Sequence, residues 1–92
     1  MTKADIVNRI ADDTGMSRKE VMAVVEAFME EVKKSMIDGE EVFLRGFGSF
    51  VIKHRAAKTA RNIAKNTTIV IKAHDYPTFK PSKGFLDKMN AE

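Results

Sequence analysis

Ala56-Ala57-Lys58-Thr59-Ala60-Arg61-Asn62-Ile63-Ala64-Lys65-Asn66-Thr67-Thr68 decides the fold of this chain. It holds one large apolar side chain, Ile63, and is otherwise small, polar or basic. Such a segment cannot bury enough apolar surface to fold back on a core. Strand-forming runs flank it: Ser49-Phe50-Val51-Ile52-Lys53-His54-Arg55 before and Ile69-Val70-Ile71-Lys72-Ala73 after. A core-free segment between two strands reads as a β-hairpin arm reaching into solvent, over about residues 54–74. Lys65-Asn66 suits its tip, because Asn tolerates the left-handed backbone of tight turns.

Charge separates along the chain. Residues 45–83 hold nine Lys/Arg and one acid, Asp75, whereas residues 1–44 hold six basic and ten acidic residues. The net charge of +3 therefore hides a basic arm on an acidic body. That arrangement is an electrostatic footprint for a polyanion.

A chain of 92 residues makes one small domain. Its size allows only about 60–65% of the unfolded surface to be buried. With no cysteine to staple it and no Cys/His cluster for zinc, oligomerisation is the remaining way to enlarge the core. No signal-like apolar segment follows the N-terminus, and no run reaches the roughly 18 apolar residues of a membrane span. The expectation is a soluble, intracellular protein.

Outward from the arm, the first half reads as two helices. Thr2 with Asp5 resembles a capping box, and Ile6, Val7, Ile10 and Ala11 follow helical spacing to about Asp13. After Thr14-Gly15-Met16, Ser17 with Glu20 forms what looks like a better box. Val21, Val24, Val25, Phe28, Val32 and Met36 then trace a long helix that Gly39 stops. Met22, Ala23, Ala27, Met29 and Ile37 widen its apolar stripe. That breadth fits an ordinary core helix or one shared between two subunits.

Glu40 to Arg45 reads as a strand, and Gly46-Phe47-Gly48 as a turn whose glycines adopt angles other residues avoid. Phe47 is expected to anchor that turn in the core. Period two then turns Phe50 and Ile52 inward and Lys53 and Arg55 outward, where Lys72 of the return strand can join them. Pro77 and Pro81 predict a turning segment from Asp75 to Ser82, with Phe79 packed inward. Ser82 caps a short last helix carrying Phe85, Leu86 and Met89.

No catalytic constellation emerges. His54 and His74 fall on opposite strand faces, the carboxylates follow a solvated helix pattern, and Gly46-Phe47-Gly48 lacks the rest of a dinucleotide fingerprint. The chain is expected to be no enzyme and to need no cofactor, metal or small-molecule substrate. Ile63 beside Arg61, Asn62 and Lys65 fits a wedge entering a base step, with cations for phosphates alongside.

Gly46-Phe47-Gly48-Ser49-Phe50, then Arg55-Ala56-Ala57-Lys58-Thr59-Ala60-Arg61-Asn62, then Pro77-Thr78-Phe79-Lys80-Pro81 closely resemble the bacterial HU/IHF family of histone-like DNA-bending proteins. The resemblance covers nearly the whole chain. It implies an α+β fold and an intertwined dimer in a single domain, 1–92. Two N-terminal helices form its base (1–39). A three-stranded antiparallel sheet with a protruding arm follows (40–80), then a C-terminal helix (81–92). It implies double-stranded DNA as partner, preferably bent, nicked or flexible, held through the minor groove in the cytoplasmic nucleoid of a bacterium. The arm contacts expected on this basis, together with the strand pattern, are Lys53, Arg55, Lys58, Arg61, Asn62, Ile63, Lys65 and Lys72. Lys3, Lys80 and Lys83 are expected on the body, and Phe28, Val32, Phe47, Phe50 and Phe79 in the dimer core. The second subunit is expected to be an identical chain, with a paralogue as the alternative.

One departure stands out. The family pattern reads Arg-Asn-Pro at the arm tip, and this chain reads Arg61-Asn62-Ile63, so the wedge role passes to Ile63. Two rivals remain. An RNA or single-stranded nucleic-acid module would need exposed aromatics, and the six Phe and one Tyr all fall in or near expected core positions. A partner-docking protein would bind without regard to Arg55, Lys58 and Arg61.

Overall fold

Thr2 opens the first helix as its side chain requires. In the computed structural model, which describes residues 1–62 and 67–91, its Oγ1 accepts from the Asp5 N–H at 3.3 Å. The Asp5 carboxylate accepts in return from the Thr2 N–H at 2.9 Å. Helix α1 (Lys3–Thr14) ends at Gly15, whose φ of 75° is left-handed. Helix α2 (Arg18–Ile37) begins at Ser17, whose Oγ accepts from the Glu20 N–H at 3.1 Å. No bond returns from the Glu20 carboxylate among the described residues, so the complete box lies at α1 and only half of one at α2. At the far end Glu40 N–H donates to Ser35 C=O at 2.9 Å and Gly39 N–H to Met36 C=O at 3.0 Å. With Gly39 at φ 87° this is a Schellman stop.

Strands β1 (Val42–Leu44), β2 (Gly48–Arg55) and β5 (His74–Pro81) form an antiparallel sheet in the order β1-β2-β5. Strands β3 (Lys58–Asn62) and β4 (Thr67–Ile71) pair separately as a two-stranded ribbon. Helix α3 (Lys83–Met89) closes the chain. The body ladder runs up to Arg55↔His74 and the ribbon ladder starts at Lys58↔Ile71. Only two residues on each strand, 56–57 and 72–73, separate body from arm.

The expected turn at Asp75–Ser82 is instead an eight-residue strand. Its prolines are admitted by the pairing. Ile52 N–H donates away from β5, to the Glu41 carboxylate at 2.8 Å, so the pair Ile52↔Pro77 needs no donor from Pro77. Pro81, opposite Gly48, has the same parity. Both prolines thus turn their missing N–H toward the open edge.

One glycine of the 46–48 turn also differs from expectation. Gly46 has φ 82°, but Gly48 has no left-handed backbone. Space is what it supplies: a Cβ there would lie 2.5 Å from Lys80 C=O and 2.5 Å from Phe79 Cζ. Phe79 packs close to Phe47 and Phe50, with ring centroids 5.0 and 5.2 Å away. Phe85 from α3 joins at 5.8 Å from Phe47. Ser82 ties this cluster to the helix. Its Oγ accepts from Phe85 N–H at 3.1 Å and donates to Gly46 C=O at 3.0 Å, while its N–H donates to Phe47 C=O at 2.9 Å.

Among the described residues the buried apolar side chains are Val7, Ala11 and Val21, at the α1–α2 contact, with Ile10, Met22 and Val25 packed against them, and Gly48 of β2 is buried as well. Phe47 does anchor the turn on Phe79 and Phe85, but it remains 46% exposed.

Candidate nucleic-acid interface

The register sorts the sheet into two faces. Inward parity collects Val42, Phe50 and Phe79; Leu44, Gly48 and Pro81; Ile52 and Pro77; and finally His54 and Asp75 at the arm root. Outward parity collects Phe43, Ser49 and Lys80; Val51 and Thr78; Lys53 and Tyr76; and Arg55 and His74. Lys53, Arg55 and Lys80 therefore share one face, and each is exposed. Alternation is what produces this, since strand side chains take opposite faces at each step.

The one acid of the basic region is held off that face. Asp75 Oδ1 lies 2.7 Å from His54 Nδ1, directly across the ladder on the inward side. On the outward side the Arg55 guanidinium lies 4.9 Å from the Tyr76 ring centroid. Hydrogen bonding from Arg55 lowers the Tyr76 phenol pKa below its ordinary value, with the Arg55 and Lys53 charges adding to the effect. His74 stands 6.2 Å from the same ring, its Nδ1 3.0 Å from Lys72 C=O.

The other expected contacts distribute as follows. Lys58 is exposed on β3, opposite Ile71. Arg61 and Asn62 pair through their backbones with Thr68 and Thr67. Lys72 is exposed in the two-residue break between β4 and β5, not within a strand. Ile63, Lys65 and the turn assigned to Lys65-Asn66 lie outside the described residues. Lys83 is exposed at the first position of α3, next to the Ser82 clasp. Lys3 is already engaged: its Nζ lies 2.8 Å from Glu26 Oε1, which lowers the Glu26 pKa.

Sequence reasoning missed three features of the two sheet faces. Tyr76 was assigned to the core, but its pairing with Lys53 puts it on the outward face, half-buried beneath Arg55. Phe43 also stands outward, 71% exposed. The alternation of β5 carries the signal for Tyr76, once Pro77 and Pro81 are read as edge residues and not as turn formers. His54–Asp75 spans 21 positions and needs the register to be seen.

No group of three or more metal-ligating side chains occurs among the described residues, and no described helix is long and apolar enough to cross a membrane.

Comparison with known proteins agrees with this arrangement. The family model described as bacterial DNA-binding protein matches residues 1–90. The DNA-binding protein HU of Thermus thermophilus is 39% identical over 89 residues, covering 97% of this chain and 92% of that protein. Integration host factor subunit beta of Marinobacter nauticus is 38% identical over 91 residues, 98% of this chain and 93% of its own. An Anabaena HU–DNA cocrystal structure superimposes with a TM-score of 0.93 at 32% identity, each chain covered completely. Sequence, fold and the segregated basic face thus converge, and the chain belongs to the bacterial DNA-binding protein family of HU and the integration host factors.

Proposed function

We propose that two copies of this chain clasp duplex DNA between their arms, enter its minor groove and bend it, organising a bacterial nucleoid with little sequence preference. The observation that carries this is the outward face. Lys53, Arg55 and Lys80 line one side of a sheet whose strands lead directly into the ribbon bearing Lys58, Arg61 and Asn62. Affinity then comes mainly from cations displacing counterions at phosphates. Preference comes from the lower cost of bending nicked or flexible duplexes. Ile63 is the proposed wedge, with Lys65 and Lys72 completing the arm and Lys3 and Lys83 extending the grip on the body.

Pairing of two chains rests on the apolar surface. Three buried apolar side chains among the described residues are too few to hold a domain of this size, while Phe28, Phe47 and Ile37 are 46%, 46% and 83% exposed. A groove between α2 and the inward sheet face is lined by Val32, Met36, Ile37, Phe50, Ile52 and Pro77. Val32 and Phe50 of that groove, together with Phe28, Phe47 and Phe79 outside it, are proposed to meet a second copy, making residues 1–39 the base of the dimer.

Tyr76 and Phe43 make no continuous platform for single-stranded bases. They stand four strand positions apart along the ladder, roughly 13 Å, and Arg55 covers Tyr76. A salt series on matched intact, nicked and single-stranded DNA, with end-to-end FRET, tests the proposal. Steep salt dependence, preference for the nicked duplex and a rise in FRET that Ile63→Ala reduces are expected. A flat FRET signal would remove bending, and tighter binding to single strands would overturn the duplex reading.

A further inference from the structure

Arg55 stands at the last rung before the arm, exposed, with no carboxylate in reach among the described residues. The nearby acid, Asp75, is turned to the opposite face and occupied by His54 at 2.7 Å. A free arginine there would keep its rotamer freedom and lose it on binding DNA. Here its guanidinium lies 4.9 Å from the Tyr76 ring centroid. Tyr76 is itself half-buried in β5, across the ladder from Lys53, and so presents a fixed surface to a mobile cation.

We infer that Tyr76 is a positioning residue for the DNA grip, holding the Arg55 guanidinium on the outward face at the arm root. The inference rests on the DNA-binding reading of that face. A tyrosine suits the task chemically. Its ring attracts a cation through its quadrupole without cancelling the charge, as a carboxylate would. Arg55 is therefore held in place and still fully attractive to a phosphate, whose two oxygens match its fork. The lowered phenol pKa agrees with a guanidinium beside Tyr76.

Tyr76 is the only tyrosine, and the chain has no tryptophan, so phenol absorbance reports on this site alone. Alkaline titration of the full-length protein without DNA should show Tyr76 ionising at higher pH in Arg55→Ala than in the parent. Equal titration curves would mean that the contact does not exist in solution, and would overturn the inference without touching the DNA reading. In DNA binding, Tyr76→Leu should weaken affinity about threefold, the equivalent of an exposed cation–π contact. Tyr76→Phe, which keeps the ring, should recover most of it. In an Arg55→Ala background, Tyr76→Leu should have no further effect. An equal loss in both backgrounds would make Tyr76 an independent contact and would also overturn the inference. If the parent itself fails to bind duplex DNA, the functional reading falls and this role falls with it.

Discussion

Gly48 and Phe79 share a volume that only the absence of a side chain permits. The Phe79 ring edge sits where a Cβ on residue 48 would lie, 2.5 Å from Cζ, with the Lys80 carbonyl at the same distance behind. The ring cannot give way freely, because Phe47 and Phe50 hold it at 5.0 and 5.2 Å.

Gly48→Ala should therefore destabilise the fold by about 3 kcal/mol, at the upper end of overpacking costs. Gly46→Ala meets no atom within 4 Å and suffers only the strain of φ 82°. It should cost about 1 kcal/mol. Urea unfolding of the two variants at one protein concentration measures both. Equal losses would mean that backbone angle, not space, decides this turn.

Ser82 predicts a second separation. One hydroxyl caps α3 and donates to Gly46, so Ser82→Ala removes two bonds and should cost about 1–2 kcal/mol. Ser82→Thr keeps both groups and should stay close to the parent. Lys80 and Lys83 flank this residue, so Ser82→Ala should also weaken DNA binding modestly under conditions where the protein remains folded.

How much of this was legible in the sequence depended on the range of each interaction. Caps such as Thr2 and Ser82 act over three residues, and both were readable. The basic face was readable too, because Lys53 and Arg55 alternate within one strand. Pro77 and Pro81 misled because proline is ordinarily a turn signal, and only an edge strand with their parity admits them. Tyr76 went to the core for the same reason: without β5 as a strand, its face was undefined. Gly48 was credited with an unusual backbone when a ring 31 positions later required its bareness, which local reasoning does not see.

Lys3 and Glu26 supply a pH prediction. Their 2.8 Å contact favours the ionised carboxylate and holds the Glu26 pKa below its ordinary 4.5. A carboxylate lowered in the folded state stabilises above its unfolded pKa, and that contribution is lost as pH falls through the folded value. The Lys3–Glu26 contribution should thus be complete above about pH 5 and vanish in more acid solution. An NMR titration of Glu26 should show an upward shift in Lys3→Ala, and an unmoved midpoint would refute the pairing. The same pair competes with phosphate for the Lys3 ammonium. Glu26→Gln should accordingly free Lys3 and strengthen DNA binding at low salt.

The proposed assembly of two chains would make stability depend on concentration. The thermal midpoint should rise with protein concentration, because chains that fold only together gain by mass action. Phe28 tests where they meet. It lies on the exposed stripe of α2, away from Val7, Ala11 and Val21, which close the α1–α2 contact within one chain. Phe28→Asp should leave that contact intact but cost the assembly the burial of a phenyl group on each side, roughly 3 kcal/mol or more in total. It also places two carboxylates where water is excluded. Sedimentation should show the parent as a two-chain species and Phe28→Asp as dissociated or unfolded at the same concentration. Dissociation should abolish DNA bending, since one arm alone cannot hold both flanks of a kink. A parent that sediments as a single chain with a concentration-independent midpoint would leave its apolar sheet face unexplained and would refute the clasp.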